Sequence, residues 1–147
     1  VEDVRFEGSI RGCEVEDHLP DSLFVFGNAE MLRRAVENVL RNALRYTPDD
    51  GRIIVRLASV QGTCRLTVED NGPGVPEYAL EQIFRPFFRV DASRQRASGG
   101  TGMGLSISES AIRAHHGRIW AENRKNGGLV VTMELPVEPK EHLHDAV

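Results

Sequence analysis

Two glycine-rich turns, with an arginine-studded segment between them, restrict the possible folds of this chain more than any other feature. The first, Asp70-Asn71-Gly72-Pro73-Gly74, follows a strand-like run; the second, Ser98-Gly99-Gly100-Thr101-Gly102-Met103-Gly104, opens a helical pattern. Glycines at such places let backbone N–H groups approach an anion, and a helix N-terminus adds a favourable dipole. Between Arg85 and Arg96 stand four arginines and one aspartate, a balance that suits an anionic ligand. The same composition suits a solvated loop, so neither turn decides alone. The stretch from about Val90 to Gly100 has few apolar anchors and reads as a lid that a ligand orders.

A second feature lies upstream. From Asn28, a residue suited to helix capping, Leu32, Ala35, Val36, Val39, Leu40 and Ala43 recur with helical spacing until Thr47-Pro48 ends the pattern. Arg34, Asn38, Asn42, Arg45 and Tyr46 form one polar stripe on that helix. Asparagine is a mediocre helix former, so two of them one turn apart call for a reason. An amide oxygen can ligate a hard cation such as Mg²⁺ while its NH₂ reaches a phosphate oxygen. The alternative is a solvated face braced by Glu30–Arg34 and Glu37–Arg41 pairs.

The remaining runs are mostly strand-like. Val4 to Phe6, Cys13 to Val15 and Leu23 to Phe26 read as sheet edge and lead-in. Ile53, Val55 and Leu57 alternate before Gln61-Gly62, which predicts a hairpin. After it Leu66, Val68 and Asp70 share a face, so the carboxylate emerges on the buried side and needs a donor. A ligand's exocyclic amine and a backbone amide of the next turn are both candidates. Pro76 opens a short helix with Leu80, Ile83 and Phe84, and Phe84, Phe87 and Phe88 predict an apolar clasp at the root of the lid. A helix from Leu105 to about His116 packs Ile107, Ala111 and Ile112 and ends at Gly117. His115 and His116, without ligand-type neighbours, read as helix-end cations or surface groups. Arg118 to Glu122 and Leu129 to Leu135 make a terminal hairpin around Asn126-Gly127-Gly128, before a polar tail from Glu138 to Val147.

With 147 residues and 40% hydrophobic content, one core and one domain over 1–137 are expected. A net charge of −4 argues against a general nucleic-acid or membrane-surface binder. Cys13 and Cys64 lack metal spacing and read as core thiols of a reducing compartment. No apolar run approaches membrane-spanning length.

The runs NVLRNALRYT, DNGPGV, FRPFFRVD and GGTGMGLS, followed by a late GG before a strand, resemble in that order the ATP-binding catalytic domain of bacterial sensor histidine kinases. That family belongs to the wider gyrase, Hsp90, histidine kinase and MutL group, and within it the nearest look is that of the CpxA-type envelope-stress kinases. The resemblance, from about Asn28 to Pro136, implies an α/β fold, an α+β two-layer sandwich with a mixed, mostly antiparallel sheet covered on one face by three helices. It implies Asn42 as Mg²⁺ ligand, Asn38 as its phosphate-side companion, and Arg45 and Tyr46 as contacts to phosphate and nucleotide. Asp70 then accepts from the adenine amino group beside Gly72 and Gly74. Gly100, Thr101, Gly102, Gly104 and Leu105 bring backbone to the phosphates, and Arg89 faces the γ-phosphate. Met103 stands where Leu is usual, a volume-conserving change.

The implied activity is transfer of the γ-phosphate of Mg-ATP to a histidine on a separate helical phosphoacceptor domain, with a response regulator downstream. The resemblance further implies a cytoplasmic domain of a homodimeric protein anchored in the bacterial inner membrane, the isolated domain being monomeric. None of His18, His115, His116, His142 and His144 stands in the setting of a phosphoacceptor, His-Glu/Asp followed by Thr or Asn and Pro. Two other readings stay open: an ATPase of the gyrase or Hsp90 kind, and a module that holds nucleotide or a partner protein without chemistry.

Overall fold

The computed structural model describes residues 14–18, 25, 27–88 and 104–137. The elements, in order, are β1 (Glu14–His18), α1 (Ala29–Tyr46), β2 (Arg52–Val60), β3 (Thr63–Asp70), α2 (Ala79–Gln82), α3 (Gly104–Ala114), β4 (Arg118–Asn123) and β5 (Leu129–Pro136). The five strands form one sheet in the order β1-β2-β3-β5-β4. β1 pairs with β2 in parallel and every other pairing is antiparallel. The fold is therefore the expected mixed, mostly antiparallel sheet with helices. The strand expected at Cys13 to Val15 begins at Glu14 and continues to His18, on the sheet edge. The run at Val4 to Phe6, Cys13, and the tail from Glu138 lie outside the described residues, and Val25 is not in a strand.

α1 starts where the sequence places a cap. Asn28 has extended φ/ψ and its Oδ1 accepts from the Met31 amide at 3.0 Å. Ala35, Val39, Leu40, Ala43 and Leu44 form the buried stripe. At the other end Thr47 stops the helix, its hydroxyl donating to the Ala43 carbonyl at 2.6 Å ahead of Pro48. On the outer face Glu30 pairs with Arg34 at 3.3 Å, as expected, and Arg33 bridges Glu30 at 2.6 Å and Glu37 at 2.7 Å.

Gln61 and Gly62 both have positive φ and close β2 onto β3 with Val60 opposite Thr63, the two-residue turn whose twist matches the strands. Ile53 and Val55 of β2, Val68 of β3, and Val131 and Met133 of β5 pack with Val39, Leu40 and Ile112 in one core. Each of these side chains contributes about 1.5–3 kcal/mol by leaving water.

The face of β5 away from the core is also shielded. Glu134 is 6% exposed because Arg65 of β3 and Arg118 of β4 fold over it from both sides, at 2.5 and 2.6 Å. Arg118 in turn lies over the Trp120 ring, 5.1 Å from its centre. The two guanidinium hydrogen bonds, Arg118 first and then Arg65, hold the Glu134 carboxyl below its ordinary range. Cys64 is half-buried, and that burial pushes its thiol up, as fits a packing thiol.

Three expectations need correcting. Phe84 is buried, but Phe87 is 72% exposed, because the turn at Arg85–Phe88 puts it in the left-handed region at φ 65° and swings the ring outward. Ile107 is also largely exposed; the inner face of α3 is Leu105, Ser108, Ala111 and Ile112, with the helical repeat passing through a serine. The left-handed residue that ends α3 is His116 rather than Gly117. Its N–H bonds the Arg113 carbonyl while the Gly117 N–H returns to Ile112, a Schellman ending. Gly117 serves another purpose: a Cβ there would lie 2.1 Å from the Glu134 carbonyl oxygen.

Candidate functional site

Asp70 is the last residue of β3, opposite Ile53, and only 4% exposed. Alternation along β3 turns its carboxylate to the helix-covered face, where a lone charge is costly. Two backbone amides meet that cost at one oxygen: Oδ1 accepts from Gly72 N at 2.9 Å and from Leu129 N at 3.2 Å. None of the hydrogen bonds found among the described residues goes to Oδ2. Burial pushes the Asp70 carboxyl up, while the two amides and the charge of Arg124 pull the other way. Arg124 also donates from Nη1 to the Asp70 backbone carbonyl at 3.0 Å.

The turn after Asp70 is built from close approaches. A Cβ on Gly72 would lie 2.5 Å from the Tyr46 carbonyl oxygen, so the end of α1 and this turn meet backbone to backbone. Gly128, at φ 107°, lets the β4–β5 turn reach the end of β3; a Cβ there would lie 1.9 Å from the Asp70 carbonyl oxygen. Asn71 fixes the other side, its Oδ1 accepting from the Arg52 amide at 2.9 Å. Asn123 accepts from the Val75 N–H at 3.0 Å and donates to the Val75 carbonyl at 2.6 Å, beside Gly74 at φ 71°.

Beside this turn lies a cavity of about 420 Å³ lined by Arg45, Tyr46, Thr47, Pro48, Asn71 and Gly72 among others. It joins the end of the polar stripe of α1 to the turn that follows Asp70. Asn38 and Asn42 are half-buried on α1. A Cβ on Gly104 would touch the Asn38 Cβ at 3.8 Å, so the first turn of α3 abuts the stripe. The Leu105 side chain is in the core. Arg89, Gly100, Thr101 and Gly102 lie outside the described residues, as does the lid from Val90 to Gly100. A larger groove of about 890 Å³, with Leu80, Phe84, Ile119 and Trp120 in its wall, holds none of the residues that the sequence assigns to nucleotide, phosphate or metal.

Sequence reasoning missed Leu129, Arg124 and Asn123. The first acts through its backbone amide, which no side-chain pattern reveals; only the glycines before it mark a chain approaching something closely. No group of three or more His, Cys, Asp or Glu that could hold a metal occurs among the described residues. The donors along the stripe are amides, which suit a hard cation that arrives with its own phosphate ligands rather than a carboxylate cage.

A family model described as histidine kinase-, DNA gyrase B-, and HSP90-like ATPase matches residues 27–139. Over 128 residues the chain is 42% identical to the signal transduction histidine-protein kinase BaeS of Escherichia coli (strain K12), which is 87% of this chain and 27% of BaeS. Over 138 residues it is 41% identical to the sensor histidine kinase CpxA of the same strain, which is 93% of this chain and 30% of CpxA. The chain thus spans less than a third of the length of these relatives. Among solved structures, the mycobacterial sensor histidine kinase MprB has a TM-score of 0.82 at 31% identity, covering 94% of this chain and 89% of that one. The histidine kinase ThkA, in complex with the response regulator protein TrrA, has a TM-score of 0.74 at 29% identity, covering 95% and 40%.

Proposed function

Because this chain belongs to the histidine kinase-, DNA gyrase B- and HSP90-like ATPase family and is similar throughout to sensor histidine kinases, we propose that it binds Mg-ATP and donates the γ-phosphate to a histidine on a separate phosphoacceptor domain. The observation that carries the reading is Asp70: a nearly buried carboxylate with one oxygen saturated by backbone amides, set against the turn that lines the cavity. Its other oxygen is an acceptor suited to an exocyclic amine, here that of adenine. Gly72 and Gly74 give the base its flat neighbour. Arg45 and Tyr46, in the cavity wall, hold nucleotide and phosphate. Asn38 and Asn42 meet the phosphates with their amides, and Gly104 and Leu105 offer backbone N–H groups; Arg89, Gly100, Thr101 and Gly102 complete that set from the lid.

Asn42 is the residue to hold Mg²⁺, which when bound neutralises phosphate charge as it develops on transfer. The work of the protein is then positioning: the stripe and α3 align the γ-phosphate while the lid arginines face its oxygens. In hydrolysing relatives a general base takes a proton from water. Asn38 cannot act as one. Glu37, next along α1, is engaged by Arg33 on another face of the helix. The kinase reading is favoured over the ATPase reading on that ground. The partners proposed are a phosphoacceptor helical domain of the same protein, a homodimer in the complete kinase, and a response regulator downstream, with a cytoplasmic place beside the inner membrane. No helix among the described residues is long and apolar enough to cross a membrane.

Radiolabelled ATP tests this. The chain alone is expected to leave no acid-labile phosphohistidine and to release phosphate slowly; adding a His-bearing helical domain from a similar kinase in trans is expected to produce label on that domain. Rapid phosphate release that disappears in Glu37→Gln would support the ATPase instead.

A further inference from the structure

α1 and α3 run antiparallel and pack through the shared core, and three contacts along them mark their register. Near the phosphate end, the first turn of α3 abuts Asn38: a Cβ on Gly104 would lie 3.8 Å from the Asn38 Cβ. At mid-length, Ser108, with no exposed surface, donates its hydroxyl to the Ala35 carbonyl at 2.7 Å. At the far end, the Asn28 amide donates to His115 Nε2 at 2.9 Å.

The third contact has unusual chemistry. His115 Nδ1 lies 2.7 Å from the Ala111 carbonyl oxygen, which can only accept, and Nε2 faces a backbone N–H, which can only donate. The two partners together specify a neutral ring with its proton on Nδ1. This overturns the reading of His115 as a helix-end cation. The Asn28 amide is the one that a glutamate or glutamine three residues into a helix often satisfies by reaching back. Here that position is Met31, which has no such group, and α3 supplies the acceptor instead. Gly27 makes room for it: a Cβ there would lie 2.2 Å from the imidazole Cδ2.

We propose that His115 is a positioning residue for the phosphate side of the nucleotide site, fastening the start of α1 to the end of α3 so that the first turn of α3 meets Asn38 in a fixed register. The role rests on the reading that Asn38 and Asn42 face the phosphates of ATP. Loss of the contact leaves the shared core and the Ser108 hydrogen bond to hold the pair and loosens its far end, with the displacement felt at Asn38. Asp70 sits on a strand and does not depend on that register, so base recognition is spared.

The test separates reach from fold. In His115→Asn the amide reaches about as far as Nδ1 and cannot reach Asn28; in His115→Gln the oxygen reaches about as far as Nε2 and can accept the Asn28 N–H. Calorimetry on the wild-type chain and both variants, with Mg-ATP and with adenosine, is expected to show Mg-ATP about tenfold weaker in His115→Asn, the scale of one lost hydrogen bond. Adenosine should bind all three alike, and His115→Gln should recover most of the Mg-ATP affinity. Hydrogen exchange should show the Asn28 amide protected in wild type and in His115→Gln but exposed in His115→Asn. Equal losses for Mg-ATP and adenosine, or unchanged Mg-ATP affinity with an exposed Asn28 amide, would overturn the positioning role. A wild-type chain that binds no Mg-ATP, yet whose Asn28 protection depends on His115, would refute the nucleotide reading and leave His115 a structural clamp only.

Discussion

Asp70→Asn is the substitution for which the structure dictates the most detailed outcome. Asn fits the same volume, but its two ends differ. The Gly72 and Leu129 amides both point at the Oδ1 position, so the new carboxamide must place its oxygen there. Turned the other way, its NH₂ would face two N–H donors at once. The NH₂ is therefore driven into the Oδ2 position, where the proposed adenine amine needs an acceptor. A hydrogen bond to a charged group, worth about 1.5–3 kcal/mol, is exchanged for two opposed donors. That corresponds to ATP binding weaker by roughly 10- to 100-fold. Without ligand the sign reverses. Burial holds the Asp70 carboxyl above its unfolded value, so its contribution to stability is fully present below the unfolded pKa and falls as pH rises through the folded one. Asp70→Asn removes that penalty, so the ligand-free variant should melt at or above the wild-type temperature at neutral pH, and the difference should shrink in acid. Calorimetric titration with ATP, and thermal melts from about pH 3 to about pH 8, a span that begins near the ordinary aspartate value and runs above it, check the two halves. Unchanged ATP affinity in a folded variant would refute the assignment of Oδ2 to the base. A neutral-pH melting temperature well below wild type would refute the argument from burial.

Other outcomes follow from the same geometry. Asn42→Ala should abolish the Mg²⁺ dependence of ATP affinity while Asn38→Ala leaves part of it, with helicity kept in both because Ala is the better helix former; titrations with and without Mg²⁺ decide. Glu134→Gln should destabilise the fold by about 1 kcal/mol at neutral pH, since two partly exposed arginines lose their counter-charge. The Glu134 carboxyl is held low, so the wild-type advantage is present above its unfolded pKa and should vanish as pH falls through the folded one, as urea melts in acid would show. Gly128→Ala should cost more than about 1 kcal/mol, because φ 107° is strained for alanine and its Cβ would press on Asp70. Denaturation of that variant, together with the exchange rate of the Leu129 amide, reads both effects.

What could be read from the sequence was whatever repeats or punctuates. The apolar stripe of α1 and its Asn28 and Thr47 ends follow from spacing and capping. So does the turning of Asp70 toward the core, two residues beyond Val68 on an alternating strand. Contacts between distant backbone groups leave no such trace. Nothing about leucine at 129 announces that its amide will meet a carboxylate 59 positions earlier. Ser108 hid the inner face of α3, because a hydroxyl bonded to a helix carbonyl is buried as completely as a methyl group, while Ile107 looked the better core residue and is not. Three phenylalanines at one turn suggested one cluster, but a single left-handed residue sent Phe87 away from Phe84. His115 looked solitary in sequence, since both its partners are main-chain atoms.

The carboxamide of Asn123 touches both polar groups of Val75, as a neighbouring peptide unit would, and it stands at the end of the strand that closes one side of the sheet. The loop that follows Gly74 is thereby tied to the end of β4 without adding a strand to the sheet, so a shift at that end of β4 would be passed to Gly74, where an added Cβ would already press on Asn123, and through it to the turn after Asp70.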